Sequence, residues 1–457
     1  MDIKIPIKHL DRLLLIMALI LVAVGIVVRL GTQKGQPGIE TKPRTRTRTR
    51  TRTAVTLVFT QWWQDVLEKD TLAGLIKEFE KQNPGIHIRL DSRSYPEIQE
   101  KALKMAMAVV ANNTGGSAEY QNPFPGTDIL ALDPRWLHEL IQHEVLEPLT
   151  PYIENAEFTS GVYQENPATR YARWAIPLVS FMAPLFYNIA VLKAAGFDRP
   201  PKSRTDFLHY ARTITAQNPN RFGMALSLDA ANPEDMYLDV YSWVWASGAV
   251  MMKQGRPNIT DRSIIETLEF LGTLWEEELL SPNSFSKTRE QKLEEFCDGR
   301  IGMIIASVQD IDDIRERIGD TGFGITTIPV PDGYFGKPVF GLTSWYAGIS
   351  RYSEHKEAAW AFIAFLAEQV SVLAVQTHGL PGIGNVPEDS LGDTPFYAKV
   401  YDMYEGGDTI QEFIGIPRVR ELESIIWEEL YTMLEEGRSA RVTAEAMQRR
   451  WRDVLKN

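Results

Sequence analysis

Closely spaced acidic residues after Ile305, in the stretch "SVQDIDD", are the first candidates for chemistry in this sequence. Asp310, Asp312 and Asp313 suggest glycoside hydrolysis, which requires two carboxyl groups on opposite sides of a cleft. Acids this close together are more typical of a helix N-terminus, where the helix dipole stabilises negative charge. We therefore predict a helix start here, keep a glycoside hydrolase as an alternative, and predict no catalytic residue.

Other catalytic and metal-binding motifs are incomplete. Ser284 and Lys287 fit a Ser-x-x-Lys pattern, but the companion motifs of such acyl enzymes are missing. The stretch "GIGNVP" at 382–387 lacks the third Gly of a dinucleotide-binding loop. The 7 His residues are scattered, and the single cysteine, Cys297, excludes an internal disulfide and a multi-cysteine metal site. We expect neither a metal nor a cofactor.

Adjacent tryptophans in the stretch "FTQWWQDV", at 59–66, suggest a different chemistry. Side chains alternate along an extended chain, so Trp62 and Trp63 cannot both point into one core. We expect one ring to pack beneath the loop and the other to line a cleft. Trp63 is the preferred cleft residue, because Gln61 and Gln64 flank the pair.

Further tryptophans lie at the ends of predicted elements, where they also suit a stacking surface. The stretch "YSWVWAS" places Trp243 and Trp245 two residues apart on a probable helix, so at most one of them reaches a cleft. Trp345 lies in the later stretch "GLTSWYAGIS". A tryptophan in such an element is more often part of the core, which is the alternative for each of them.

The elements that must position these residues alternate between strands and helices from Ala54 onward. The patterns predict strands at Val55–Thr60, Ile86–Leu90 and Asp128–Leu132, and helices at Leu72–Asn83, Tyr95–Val110 and Leu137–Leu146. Strands joined by helices predict an α/β fold, with a parallel sheet and helices on both of its faces. Ligands of such sheets bind beyond the carboxyl ends of the strands, where Trp62 and Trp63 lie.

The first 53 residues differ from the rest. Leu13–Val28 is apolar and follows three basic residues, which predicts a signal or anchor helix over residues 1–30. We prefer an uncleaved membrane anchor, with cleavage as the alternative. Residues 31–53, which end in five Arg-Thr repeats, predict a disordered, charged spacer; RNA binding and a contact with anionic lipid are the alternatives.

Length and charge restrict the remaining choices. A chain of 457 residues is longer than one core usually organises, so two lobes are expected. Residues 1–53 hold 11 Lys and Arg against 3 Asp and Glu, which leaves 37 bases and 57 acids, a net charge of −20, in residues 54–457. A body this acidic repels a polyanion, so nucleic acid is not expected as a partner.

The order of motifs after residue 54 resembles family 1 of the extracellular solute-binding proteins, the receptors of ABC importers for sugars and related molecules. The most specific stretch is "WAIPLVSFMAPLFYNIAVLKAAGFDRPPKSRTDF" at 174–207. Other similar stretches are "LIKEFEKQNPGIHIRL" (75–90), "PGTDILAL" (125–132), "HEVLEPLTPYI" (143–153), "EEFCDGRIGMIIAS" (294–307), "GLTSWYAGIS" (341–350) and "EAAWAFIAFLAE" (357–368). Two features depart from the family: no lipobox cysteine follows the apolar segment, and Arg204 stands where the family often has Trp.

The resemblance implies a periplasmic-binding-protein-like fold of two lobes, each with a central sheet, joined by three chain crossings. The crossings are expected near Val179–Ala183, Val330–Pro338 and Gly384–Asp393. Residues 54–178 and 339–384 would then form the first lobe, and residues 184–330 and 393–457 the second. Segments of this kind, rich in Pro, Gly and small residues, absorb hinge motion.

The resemblance also implies a function. We expect a monomeric, extracytoplasmic receptor, periplasmic or membrane-anchored, that closes on a small polar solute, a sugar or oligosaccharide, and delivers it to an ABC permease. Alternatives are a binding protein for glycerol phosphate or another polyol derivative, and a membrane-tethered sensory binding protein.

By the same resemblance, the ligand contacts are expected at the cleft-facing ends of both lobes. For Arg418, a surface ion pair with Glu421 or Glu423 is the alternative. The expected ligand-binding residues are Trp63, Gln64, Asp133, Ser180, Tyr237, Trp243, Ser307, Gln309, Asp310, Gly341, Thr343, Trp345 and Arg418.

Overall fold

The structure is a computed structural model that describes residues 54–67, 70–112, 122–155, 173–231, 235–383 and 395–456. The predicted membrane segment and the Arg-Thr repeats lie outside the described residues. The strands are β1 Val55–Gln61, β2 Ile86–Ser92, β3 Ile129–Leu132, β4 Ile176–Met182, β5 Leu185–Asn188, β6 Phe222–Met224, β7 Met252–Lys253, β8 Arg256–Pro257, β9 Ile301–Ile305, β10 Phe323–Thr326, β11 Val339–Ile349, β12 Leu380–Pro381 and β13 Asp408–Ile410.

The α-helices lie between and after these strands. They are α1 Thr71–Gln82, α2 Tyr95–Asn112, α3 Leu137–Gln142, α4 Thr150–Asn155, α5 Ile189–Ala194, α6 Arg204–Gln217, α7 Ser242–Ala246, α8 Arg262–Glu276, α9 Arg289–Cys297, α10 Ile311–Ile318, α11 Lys356–Glu368, α12 Val370–Gln376, α13 Pro395–Gly406, α14 Val419–Glu435 and α15 Ala440–Lys456. A π-helical segment, Tyr237–Tyr241, leads directly into α7.

Two main sheets organise the described chain. The larger has the order β12-β4-β11-β3-β1-β2, and β13 pairs with β11 outside that path. Its β1 pairs in parallel with β2 and β3, whereas β11 runs antiparallel to β3 and β4. The smaller has the order β10-β5-β9-β6, and β5 runs antiparallel to both of its neighbours. The α/β class is confirmed, but both sheets are mixed and not purely parallel as predicted.

Local sequence explains where the early elements begin and end. The helix predicted over Leu72–Asn83 is α1, which buries Leu72 and Phe79 and ends at Gln82, before the left-handed turn at Gly85. The helix predicted over Leu137–Leu146 is shorter than expected. It ends at Gln142 because Glu144 adopts a left-handed conformation with φ 54°, after which Val145 and Leu146 are buried.

Two hydrophobic clusters form the core, and the small sheet separates them. Side chains alternate along β9, so Ile304 joins the cluster that also contains the large sheet. Met303 and Ile305 face the other cluster, which contains α8, α14 and α15. Both faces of the small sheet are therefore covered, as an α/β layer arrangement requires.

The chain passes between the sheets at identifiable points. It leaves the large sheet after β4 at Ala183 and enters the small sheet at β5. It returns between β10 and β11, through residues 327–338. The third expected crossing, Gly384–Asp393, lies outside the described residues. Although Asp408–Ile410 falls in the range expected for the second lobe, this strand is bonded to the start of β11 in the large sheet.

Among the described residues, no single helix has the length and apolar composition needed to cross a membrane. The helices α11 and α12 satisfy that test only as a pair, with a bend of 56° between them.

Candidate ligand-binding site

A cavity of about 1300 Å³ lies between the ends of the two main sheets. One wall comes from elements of the large sheet and contains Trp62, Tyr95, Asp133, Arg135, Phe181, Thr343, Ser344 and Trp345. The facing wall comes from elements of the small sheet and contains Asp235, Tyr237, Leu238, Arg289, Ser307, Gln309 and Asp310, together with residues of α10. The first wall carries four aromatic rings beside its polar groups, and we call it the aromatic wall. The second is mainly polar and charged, and we call it the polar wall.

The aromatic wall is a set of rings that hold each other in place. Trp62 packs edge-on against Tyr95, with ring centroids 5.3 Å apart. Phe181 packs edge-on against Trp345 at 4.9 Å. Trp63 lies behind this wall and stacks on Trp345, with centroids 5.2 Å apart and an interplanar angle of 12°. Because rings fixed in this way keep their orientation, the wall offers flat apolar surfaces to a ligand.

The roles expected for the adjacent tryptophans are reversed in the structure. Trp62 lines the cavity, whereas Trp63 is fully buried and does not line it. The cause is a 3₁₀ turn over Trp63–Asp65, which follows β1 directly and turns the Trp63 ring inward against Phe59 at 5.2 Å. The Gln61 side-chain oxygen fixes this turn by accepting a hydrogen bond of 2.5 Å from the Trp63 amide.

Asp133 and Arg135 form a buried pair in the aromatic wall. Asp133 caps the 3₁₀ turn that follows β3 by accepting from the Arg135 amide at 2.8 Å. The Arg135 guanidinium donates to Asp133 Oδ2 at 2.9 Å and to the Tyr95 hydroxyl at 2.8 Å. Burial disfavours the charge on Arg135, but Asp133, Tyr95 and Glu423 together outweigh burial and hold the Arg135 pKa above its usual range. Asp133 thus orients Arg135 and Tyr95 at the cavity surface.

Several polar contacts cross between the two walls. Arg135 Nη1 lies 3.5 Å from Glu423 Oε1 on α14. The Tyr237 hydroxyl donates to the carbonyl of Leu342 on β11. His378 Nε2 lies 3.0 Å from Asp312 Oδ1 on α10, and this hydrogen bond lowers the pKa of the Asp312 carboxyl. The two walls are therefore held against each other around the cavity.

The polar wall begins where β9 ends. Ser307 and Asp310 form a capping box on the 3₁₀ turn Val308–Asp310, in which Asp310 Oδ2 accepts from the Ser307 amide at 3.0 Å. The other Asp310 oxygen lies 2.5 Å from Arg289 Nη2 at the start of α9. The acids singled out in the sequence therefore start a helix, as the preferred interpretation predicts, and Asp310 also orients an arginine in the cavity wall.

A fully buried ion pair holds the polar wall together from behind. Lys292 Nζ donates to both carboxylate oxygens of Asp239 at 2.8 Å and to the Ile305 carbonyl at 3.0 Å. Asp239 also accepts from the Ser227 amide at 2.6 Å. Burial raises the Asp239 pKa, and Lys292 opposes that shift. The pair joins α9, the end of β9 and the π-helical segment that carries Tyr237.

Comparison with known proteins identifies the family. Residues 64–370 match the family model described as bacterial extracellular solute-binding protein. The chain belongs to this family. The match covers more than half of the chain and includes the residues named for both walls of the cavity except Trp62.

Named relatives agree with that assignment. A protein of Brucella abortus (strain 2308) that is named as a binding protein is 23% identical over 300 residues, which are 64% of this chain and 67% of the relative. The GacH receptor of Streptomyces glaucescens, solved unliganded and in complex with acarbose, matches with a TM-score of 0.71 and 18% identity over 88% of this chain and 99% of that receptor.

A second solved structure shows the same fold. An ABC transporter solute-binding protein of Thermotoga lettingae, bound with α-D-tagatose, matches with a TM-score of 0.69 and 18% identity over 89% of this chain and 99% of that protein. At these identities the two structures establish that this solute-binding protein shares their fold. Membership in an extracellular family places it outside the cytoplasm.

The structure brings about half of the expected ligand-binding residues to the cavity of this solute-binding protein. Those that line it are Asp133, Tyr237, Ser307, Gln309, Asp310, Thr343 and Trp345. Those that do not line it are Trp63, Gln64, Ser180, Trp243, Gly341 and Arg418.

Physical reasons separate three of the latter residues from the cavity. Trp243 is fully buried against Phe207 and Phe270, inside the core that contains α8. Gly341 touches the Trp245 ring so closely that a Cβ there would come within 2.3 Å of it. Ser180 faces Ser344 across the strand pair, with their hydroxyl oxygens 2.7 Å apart. These residues support the walls from behind.

Surface contacts account for the positions of Gln64 and Arg418. The Gln64 side chain is exposed and lies 3.4 Å from the Arg93 carbonyl. Arg418 donates to the Val454 carbonyl at 3.1 Å and lies 2.6 Å from Glu421. The ion pair with Glu421, which was the alternative for Arg418, is therefore the one observed.

Arg135, Arg289 and Ser344 are among the wall residues that sequence reasoning missed. Arg135 follows Asp133 by two residues, in the loop after a buried strand, and that position could have suggested it. Arg289 carries no such signal, because it lies at the start of α9 and reaches the cavity only through the packing of that helix. Ser344 lies between two predicted site residues, Thr343 and Trp345. Because side chains alternate along a strand, Ser344 is expected to point away from the face that Thr343 and Trp345 share.

Groups considered for catalysis make other contacts. The Ser284 hydroxyl bonds to the Ser281 carbonyl at 3.3 Å, and Lys287 Nζ lies 2.7 Å from Glu295. Within the part of the chain that the structure describes, no three His, Cys, Asp or Glu side chains are grouped so as to hold a metal ion.

Proposed function

We propose that this protein binds a sugar or oligosaccharide in the cavity between its two sheets and delivers it to an ABC permease. The observation that carries the proposal is the pairing of an aromatic wall with a wall of hydrogen-bonding groups across one cavity. A sugar ring has an apolar C–H face and a rim of hydroxyl groups, so it needs both kinds of surface at once.

The wall residues suit these two needs. Trp62, Tyr95 and Trp345 offer rings to the C–H faces of a sugar. Ser307, Gln309 and Thr343 offer donors and acceptors to hydroxyl groups, and a buried hydroxyl without a partner would cost about 1–3 kcal/mol. The cavity volume of about 1300 Å³ exceeds the volume of ordinary small-molecule pockets, which is roughly 300–1,000 Å³, and so favours a ligand of several sugar rings over a single ring.

Opening of the two lobes would admit and release such a ligand, and closure would hold it. We assign the hinge to the crossings at Val179–Ala183 and Val330–Pro338, with a third near Gly384–Asp393. The polar contacts between the walls, such as Tyr237 to the Leu342 carbonyl, would break on opening. In this proposal the protein acts as a monomer that binds its ligand without catalysis. Its N-terminal segment either anchors it to the membrane or is cleaved on export. The ABC permease is proposed from the family and from the names of its relatives.

The test is ligand binding measured by isothermal titration calorimetry against a panel of sugars, from glucose and maltose to maltotriose and cellotriose. At least one member of the panel is expected to bind wild-type protein. Trp345→Ala should weaken that binding by about tenfold, since one well-packed aromatic contact contributes on the order of 1 kcal/mol or more.

A matched control is available outside the cavity. Trp427 on α14 is half-buried, donates to the Leu228 carbonyl at 2.8 Å and does not line the cavity. Trp427→Ala should leave the affinity unchanged while both variants keep the far-ultraviolet circular dichroism of the folded protein. Failure of every sugar to bind, or equal losses in both variants, would refute the proposed site.

A further inference from the structure

The charge of the cavity lining carries more information than its polarity. The lining contains 8 carboxylate residues and 3 arginines, a net charge of −5. The excess is concentrated on the wall from the small sheet, where Glu290 at the start of α9 and Glu316 on α10 both line the cavity. Among the described residues, neither of these two side chains forms an ion pair within 4 Å. A cleft with walls of one sign concentrates its field on a charged solute.

Every arginine of the lining already has a carboxylate partner. Arg135 lies 2.9 Å from Asp133, Arg289 lies 2.5 Å from Asp310, and Arg315 lies 2.8 Å from Asp312. A phosphate or carboxylate group on a solute would therefore have to displace one of these carboxylates. It would also be repelled by Glu290 and Glu316, so the lining disfavours an anionic solute.

The opposite wall suits a cation independently of the acids. Trp62, Tyr95 and Trp345 line the cavity with ring systems whose faces carry negative charge density. An ammonium group within about 6 Å of such a ring centroid is attracted to it, most strongly by tryptophan. A positively charged group would thus find favourable surroundings on both walls.

We propose that the solute carries an ammonium group in addition to its hydroxyl groups, as an amino sugar or an oligosaccharide of amino sugars does. Its sugar rings lie against the aromatic wall, and its ammonium group faces Glu290 and Glu316. The inference rests on the proposed function and narrows its ligand class. It excludes glycerol phosphate and other phosphorylated polyols.

The experiment compares trisaccharides that share one linkage and differ in charge: the β-1,4-linked trimer of glucosamine, cellotriose, and the β-1,4-linked trimer of glucuronic acid. Affinities are measured by titration calorimetry at pH 6 in 0.1 M salt. Glucosamine, glucose and glucose 6-phosphate form a second matched set. The amine is expected to bind about 3- to 10-fold more tightly than its neutral counterpart, because each partly exposed charge pair contributes only modestly in water. The anion is expected to bind most weakly.

Variants and salt test the assigned carboxylates. The Glu290→Gln/Glu316→Gln double variant should bring the amine-to-neutral affinity ratio close to one, whereas Glu269→Gln on the outer face of α8 should leave that ratio unchanged. Raising the salt from 0.1 M to 1 M should also reduce the ratio, because the Debye length falls from about 10 Å to about 3 Å.

The outcomes separate this inference from the proposed function. Binding of a neutral sugar with no gain for its amine, or tighter binding of the anion, overturns the inference and leaves the sugar site intact. An amine preference that persists in the double variant also overturns it. Absence of binding by all members of both sets, and by the sugar panel above, contradicts the proposed function itself.

Discussion

The buried Lys292–Asp239 pair allows the sharpest test of how the polar wall is built. The side chains of Lys292 and Asp239 are 1% and 0% exposed, so Lys292→Met leaves a carboxylate in the core without a counter-ion. Loss of one partner of a buried pair costs about 3–5 kcal/mol, and we expect a decrease of that size in the free energy of unfolding. The Asp239→Asn/Lys292→Met double variant should recover at least about half of the loss, since it removes both charges and keeps an acceptor for the Ser227 amide.

Urea unfolding at pH 7, followed by tryptophan fluorescence and circular dichroism, measures these values. Burial raises the Asp239 pKa in the wild-type protein, and removal of Lys292 should raise it further, so the folded variant binds a proton that the unfolded chain releases. The Lys292→Met protein should therefore gain stability as the pH falls from 7 to 5 and lose it as the pH rises.

A matched control and a clear refutation complete this test. Lys193→Met, at an exposed position of α5, should change the stability by less than about 0.5 kcal/mol. If Lys292→Met costs less than about 1 kcal/mol, or if the double variant loses the sum of the two single losses, the pair does not hold the wall as described. In the expected case, Lys292→Met also weakens ligand binding, because α9 and the segment carrying Tyr237 lose their shared anchor.

Three further predictions concern buried groups around the cavity. Trp63→Ala should lower the free energy of unfolding by about 3–5 kcal/mol, because this fully buried ring stacks on Trp345. A variant that melts like the wild-type protein but binds ligand more weakly would instead show that Trp63 contacts the ligand. Burial raises the pKa of Glu412 to about 7 from an ordinary value of 4.5, so the folded state holds its proton longer than the unfolded state. Stability should therefore fall, by up to about 3 kcal/mol, as the pH rises from 4.5 to 7, and Glu412→Gln should flatten that dependence in urea titrations. Arg204→Met should be neutral or stabilising by about 1–4 kcal/mol in thermal unfolding. Burial lowers the Arg204 pKa to about 10, and no carboxylate of the described chain pairs with it within 4 Å. A large loss of stability would show that its hydrogen bonds to the Trp243 carbonyl and Thr267 outweigh the cost of burying its charge.

Features that depend on short-range patterns were predictable from the sequence. The strand at Val55–Gln61 follows from its alternation of apolar residues, and the helix start after Ser307 follows from its capping residues. Loops after buried strands were also informative, since Asp133 and Ser307 both follow such a strand and both line the cavity. The family resemblance placed these loops on one cleft.

Features that depend on side-chain direction were not predictable. Trp62 lines the cavity and Trp63 is buried, the reverse of the prediction, because a 3₁₀ turn follows the strand. A turn of only three residues has no periodic sequence pattern by which it could be predicted. Trp243 also could not be placed from its spacing, since the π-helical segment before α7 shifts the face on which each later residue lies. The strand Asp408–Ile410 pairs with residues far away in the sequence, which local propensity does not record.

The two walls are built differently, and this difference bears on what the cavity selects. The aromatic wall gains its order from rings that pack on one another, with Trp63 behind Trp345, so it presents fixed apolar surfaces to a ligand. The polar wall gains its order from charge pairs, in which Lys292 fixes α9 from behind and Asp310 fixes Arg289 in front. Because these pairs neutralise the arginines and leave carboxylates such as Glu290 and Glu316 lining the cavity, the net negative charge of the lining lies on this wall. Substitutions that change the ligand's preferred charge should therefore fall mainly on α9 and α10, whereas substitution of Trp62 or Trp345 should weaken neutral as well as charged ligands.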